Sequence, residues 1–170
     1  MDLLGLGCLW KKISERYLAN LSLYEKLNGS DRIFQLLIGK LGHYETSKKQ
    51  VCLVHGDPVF SNVIMTHQGL RFIDPRGKIG EDLSLYGDIN YDFAKVYQSI
   101  IGYDFILNDV EFNYEYIERM KSAFEYEFSQ EHMKDIKIIT ASLFFSLIPL
   151  HDFCEKKFNK YISLTETLLK

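Results

Sequence analysis

The chain has 170 residues, 46% of them hydrophobic and 25% charged, with 20 basic and 23 acidic side chains and a formal net charge of −3. Those figures fit one globular domain, residues 1–170, with a sizeable core, and they give no electrostatic footprint for nucleic acid. Three cysteines, Cys8, Cys52 and Cys154, have no metal-ligand spacing. They argue against a zinc site or a disulfide framework and for a reducing cytoplasm.

The start, Met1 to Trp10, is apolar but short, carries Asp2 and is followed by Lys11-Lys12. It reads as structure, not as a signal peptide. Residues 11 to about 27 read as a helix, with Ile13, Tyr17, Leu21 and Tyr24 on one face. Asn28-Gly29-Ser30 stops it, and Asp31 is placed to cap a second helix carrying Ile33, Leu36, Leu37 and Leu41. Glu45 to Gln50 reads as a polar loop.

The period then changes. Val51-Cys52-Leu53-Val54 reads as a short buried strand. Asn62 to Thr66 and Leu70 to Ile73 flank His67-Gln68-Gly69 and predict a β-hairpin with Gly69 in the turn. Helical spacing returns over about 92–102, from Phe93 to Ile101. Val110 to Tyr116 alternates strictly, which predicts a strand paired through Asn108-Asp109 with residues 103–107. Ile117 to Phe128, Glu131 to Ile148 and His151 to Leu169 read as three helices. The apolar run Ile138 to Leu150 contains Ser142, Ser146 and Pro149 and is too short for a bilayer, so it reads as a core helix.

Chemistry concentrates in one segment. His55-Gly56-Asp57-Pro58-Val59-Phe60-Ser61-Asn62 matches the H-x-D-x-x-x-x-N pattern of kinase catalytic loops. The spacing lets the aspartate reach an acceptor hydroxyl while the asparagine reaches a metal on the phosphates. Gly56 stands where protein kinases carry arginine. Downstream of Asn62, directly after the predicted hairpin, comes Ile73-Asp74-Pro75-Arg76-Gly77. Kinase-like enzymes place an aspartate there to chelate magnesium.

Together with Gly87-Asp88-Ile89-Asn90-Tyr91-Asp92-Phe93-Ala94-Lys95, these segments resemble the aminoglycoside phosphotransferase/choline kinase family. The D-P-R-G form resembles its bacterial members linked to capsule and surface-polysaccharide synthesis. The resemblance covers residues 51–102, roughly a third of the chain. It implies an α+β fold: a mostly helical C-terminal lobe of the kinase-like fold with small catalytic β-hairpins. It implies ATP- and Mg²⁺-dependent phosphoryl transfer to a small hydroxyl or amine acceptor in the cytoplasm, with no membrane span. Asp57 would be the catalytic base, and Asn62 and Asp74 the metal ligands. His55 would support the loop, and Asp92 would anchor it by accepting backbone hydrogen bonds. Arg76 would reach a nucleotide phosphate or brace the loop. His151-Asp152 would line an acceptor pocket or merely start a helix, while Phe144, Phe145, Phe153 and Phe158 read as core.

The family also has an N-terminal lobe, with a phosphate-covering loop and a strand lysine. Only about fifty residues precede His55, and they read as helices; Gly5-Leu6-Gly7 is not followed by the strand and lysine required. The expectation is a catalytic lobe inactive in isolation, with the missing lobe or a partner module supplied elsewhere. The alternative is a non-catalytic remnant or interaction module that keeps the fold without binding nucleotide. A magnesium-dependent hydrolase fits the H-x-D-x-x-x-x-N spacing less well.

Overall fold

The computed structural model describes residues 9–47, 49–79, 82–151 and 154–170; Met1 to Cys8, Asp152 and Phe153 lie outside them. Helices dominate, with short antiparallel strand pairs, so the fold class is α+β as expected. Where the sequence reads as one domain, the residues form two compact units.

The unit that carries the catalytic pattern spans Lys49–Ile136. Strand β1 (Val51–Leu53) pairs with β6 (Tyr86–Asp88), placing Val51 opposite Asp88. The strand was expected to be buried, but Val51 and Leu53, which alternation puts on one face, are exposed, and only Cys52 on the other face is half-buried. The predicted hairpin is present as β2 (Val63–Thr66) and β3 (Gly69–Phe72), with Val63 opposite Phe72 and Thr66 opposite Gly69. Its turn is His67-Gln68, and Gly69, at φ +107°, opens the returning strand. A further small pair joins β4 (Lys78–Ile79) to β5 (Asp82–Leu83).

Helix α4 (Ile89–Ile100) starts earlier than its apolar spacing suggests, because Asp88 caps it by accepting the N–H of Asn90. The expected hairpin over 103–116 is absent. Its place is taken by helix α5 (Tyr103–Leu107), an irregular link and helix α6 (Tyr114–Tyr126). Alternation alone misled here, since Val110, Tyr114 and Tyr116 are exposed and give a strand no face to bury. Asn113 instead caps α6, accepting the N–H of Tyr116. Ala94 and Tyr97 of α4 are buried, and the Tyr97 hydroxyl donates to Glu125 of α6. Helix α7 (Gln130–Leu147) begins in this unit and ends in the second.

The second unit is helical in its described residues: α1 (Leu9–Ala19), α2 (Leu21–Tyr24), α3 (Ser30–Thr46), the later part of α7, a 3₁₀ turn (Ile148–Leu150) and α8 (Glu155–Leu168). The helix expected over 11–27 is broken at Asn20. Its side-chain amide donates back to the Arg16 carbonyl, and its own carbonyl accepts the N–H groups of Leu23 and Tyr24 to start a new turn. Gly29, at φ +77°, precedes α3 in the place expected of Asp31, which lies in the first turn and accepts the Tyr17 hydroxyl. Helix α3 continues to Thr46, into the first two residues of the segment expected as loop, because Tyr44 is buried. An aromatic core forms where Tyr17 stacks on Phe34 at 3.9 Å and Tyr24 on Phe145 at 4.7 Å. Buried Tyr24 donates its hydroxyl to the Phe145 carbonyl at 2.8 Å, and burial pushes its phenol pKa up, so it remains a donor.

Candidate active site

The candidate catalytic loop leaves β1 at Val54, whose N–H donates to the Leu85 carbonyl. Gly56 takes φ +81°, a left-handed conformation that L side chains rarely adopt. The chain then reaches Asp57 and Pro58, and closes with a 3₁₀ turn over Phe60–Asn62 that delivers Asn62 to the start of β2.

Helix α4 holds this loop along one face. Asp92, Lys95 and Ser99 stand at i, i+3 and i+7, which a helix puts in a row. The Asp92 carboxylate accepts the N–H of His55 at 2.7 Å and of Gly56 at 2.8 Å. The Lys95 ammonium lies 3.0 Å from Asp57 Oδ1. Ser99 Oγ accepts the N–H of Phe60 at 3.0 Å. A single helix face therefore grips the loop at its start, at its aspartate and near its end. Charge-assisted bonds to Asp92 make the first grip the strongest of the main-chain contacts.

A second segment lies against the loop. The Ile73 N–H donates to the Asn62 carbonyl, and the Arg76 N–H donates to the His55 carbonyl at 2.9 Å. Asp74 sits between these two bonds, exposed, at φ +57°. Aspartate is one of the few non-glycine residues that tolerate this region. The hydrogen bonds thus join the segments that carry Asp57, Asn62 and Asp74. Asn62 Nδ2 donates to the main-chain oxygen of Asp57 at 2.9 Å. That use of the nitrogen leaves the amide oxygen as the Asn62 atom able to meet a cation.

His55 turns inward. Its Nδ1 accepts the N–H of Asp57 at 3.3 Å, its ring tilts against Phe72 at 5.8 Å, and its Nε2 is buried without a partner. These contacts fit a loop support. Arg76 is exposed, with Nη1 donating to the Tyr91 hydroxyl at 3.0 Å and its guanidinium carbon 5.4 Å from the Tyr91 ring centre. That pins the side chain in place while leaving donors for an anion.

Beyond the loop, α5 brings Tyr103 and Asp104. Burial pushes the Tyr103 phenol pKa up, and the negative charges of Asp104 and Asp57 add to it. Burial also pushes the Asp104 carboxyl up, against the opposing pull of a hydrogen bond with Ser99. Sequence reasoning did not single out Lys95, Ser99, Tyr91 or Tyr103. The helical spacing of Lys95 and Ser99 from Asp92 was the available signal. His151 lies in the second unit, in a cleft of about 420 Å³ that Lys26 and Phe158 also line.

Asn62 and Asp74 offer only oxygen to a cation, which suits a hard ion such as magnesium. Among the described residues there is no group of three His, Cys, Asp or Glu able to enclose a metal. One carboxylate and one amide are nonetheless a fitting pair for Mg²⁺, which keeps several waters and takes other oxygens from substrate phosphates. No family model, curated protein or solved structure matches the chain, so any functional reading has to rest on this loop and its supports.

Proposed function

We propose that the protein is an ATP- and magnesium-dependent phosphotransferase acting on a small-molecule hydroxyl or amine. The observation that carries this reading is the treatment of Asp57. An aspartate with its side chain about one-third exposed is held by α4 on one side and tied through its main-chain oxygen to Asn62 on the other. Rigid presentation of one carboxylate beside a potential cation ligand is what phosphoryl transfer asks of a protein, since its catalysis is mostly positioning and charge neutralisation.

In this reading Asp57 accepts the proton of the acceptor hydroxyl as its oxygen bonds to the γ-phosphorus of ATP. The bond from that phosphorus to the β,γ-bridging oxygen breaks, and ADP leaves. Asn62 and Asp74 would hold magnesium, which when bound neutralises charge on the phosphates. Arg76, steadied by Tyr91, is available to a phosphate oxygen. Asp92 keeps the loop in register. The resemblance of Asp74-Pro75-Arg76-Gly77 to capsule and surface-polysaccharide kinases supports a cytoplasmic role in such metabolism.

The second reading, a non-catalytic module with the same fold, draws on the first fifty residues. Among the described residues, those before Val51 form helices and supply no strand lysine or phosphate-covering hairpin. A nucleotide clamp would then come from another part of the protein or a partner. Magnesium-dependent ATP turnover against a panel of amine, sugar and amino-acid acceptors separates the two. Turnover that depends on Asp57 supports the enzyme, whereas its absence even when a nucleotide-binding lobe is supplied supports the module.

A further inference from the structure

We infer that Lys95 is a positioning residue that selects the working oxygen of Asp57, an inference that rests on the phosphotransferase reading above. The ammonium of Lys95 lies 3.0 Å from Asp57 Oδ1, and the lysine is the more buried partner, with its side chain 14% exposed against 35% for the aspartate. An ammonium held that far from water needs a fixed anion to offset lost hydration, so the pair is not a mobile surface contact. Oδ1 itself is buried and makes no aligned hydrogen bond, so the ion pair with Lys95 is what offsets its lost hydration. The exposed part of the carboxylate is therefore its Oδ2 side, and Oδ2 is the oxygen left for an acceptor proton.

The other two grips on the loop cannot do this. Asp92 and Ser99 bind main-chain N–H groups of His55, Gly56 and Phe60, which places the Asp57 backbone but leaves its side-chain torsions free. Lys95 alone among the three touches the carboxylate. Because Lys95 sits three residues after Asp92 on the same helix, the element that sets the loop's position also sets the direction in which its base points.

The test uses the full chain with Lys95→Met, which keeps the apolar stem, and Lys95→Arg, which keeps the charge. Side-chain ammonium NMR identifies the Lys95 cross-peak by its loss in Lys95→Arg. That cross-peak should move in Asp57→Asn. In single-turnover transfer from ATP with magnesium, Lys95→Met should lower the rate constant about 100-fold, a typical size for an oriented base, with the apparent affinity for ATP unchanged. Lys95→Arg should recover most of that loss. Adding Lys95→Met to Asp57→Asn should cost nothing further, since both act through one group. An ammonium cross-peak indifferent to Asp57→Asn overturns the inference, and it decides the matter if turnover is too slow to rank or Lys95→Met fails to fold. Wild-type rates in Lys95→Met beside an inactive Asp57→Asn would overturn the inference and leave the phosphotransferase reading standing. Full activity in Asp57→Asn would remove that reading and the inference with it.

Discussion

A methyl group built on Gly56 would lie 2.8 Å from the Cβ of Arg76. Gly56 is thus required twice, for its left-handed backbone and for the close approach of the Asp74–Arg76 segment to the 55–62 loop. Gly56→Ala is expected to destabilise the protein by about 1–3 kcal/mol, from backbone strain and the displaced Arg76 stem. Urea denaturation measures it. Wild-type stability in the variant would mean the two segments do not press together.

Asp92 supports two main-chain N–H groups with one carboxylate. Asp92→Ala would leave both donors without their charged acceptor, at a cost of about 2–4 kcal/mol. Asp92→Asn offers one acceptor oxygen and should fall between the two. Thermal melting ranks the three proteins. Activity should fall with loop order in both variants, while a neutral Asp92→Ala would show that the loop holds itself.

Asn62 and Asp74 should separate in their effects. Asp74 is exposed, so Asp74→Asn is expected to leave melting unchanged and to raise the magnesium concentration needed for ATP binding about tenfold or more. Asn62→Ala removes the proposed cation ligand and also the bond to the Asp57 main chain, and should cost about 1 kcal/mol of stability besides. Calorimetric titration of ATP at stepped magnesium concentrations reads the magnesium dependence, and urea denaturation reads the stability. Equal magnesium dependence in wild type and Asp74→Asn would remove Asp74 from the metal site.

Asp104 gives a pH prediction. Burial raises its carboxyl above the ordinary value of 3.8, so the folded chain takes up this proton more readily than the unfolded chain does. The stability this contributes is fully present below 3.8 and is lost as pH rises through the folded value. At neutral pH the charged, part-buried carboxylate is a net cost. Asp104→Asn should therefore melt higher than wild type at neutral pH, with the gap closing below 3.8. A variant less stable at neutral pH would mean that its hydrogen bond with Ser99 outweighs desolvation.

Much of this site was legible in the sequence because it is written locally. The loop from His55 to Asn62, the hairpin after it and the aspartate at its end are contiguous, and each has turn chemistry or alternation to mark it. The α4 grip was legible only in part. Asp92 was visible through the family pattern, but Lys95 and Ser99 act through a helix face meeting a loop far away in sequence, and charge alone does not reveal that. The pairing of β1 with β6 is non-local in the same way. The misread segment from Tyr103 to Tyr116 had a period-two pattern but no burial behind it. The Asn113 cap and Gly102, at φ +127° against Phe112, outweighed that pattern.

Asp57 is proposed as the base of a magnesium-dependent phosphoryl transfer. The most direct measurement is transfer of labelled γ-phosphate from ATP to the acceptor panel, run with wild type and Asp57→Asn side by side, with and without an added nucleotide-binding lobe. The expected result is magnesium-dependent transfer by wild type and loss of about 100-fold or more of that activity in Asp57→Asn, because an amide cannot accept the acceptor's proton. Equal transfer by wild type and Asp57→Asn would contradict it.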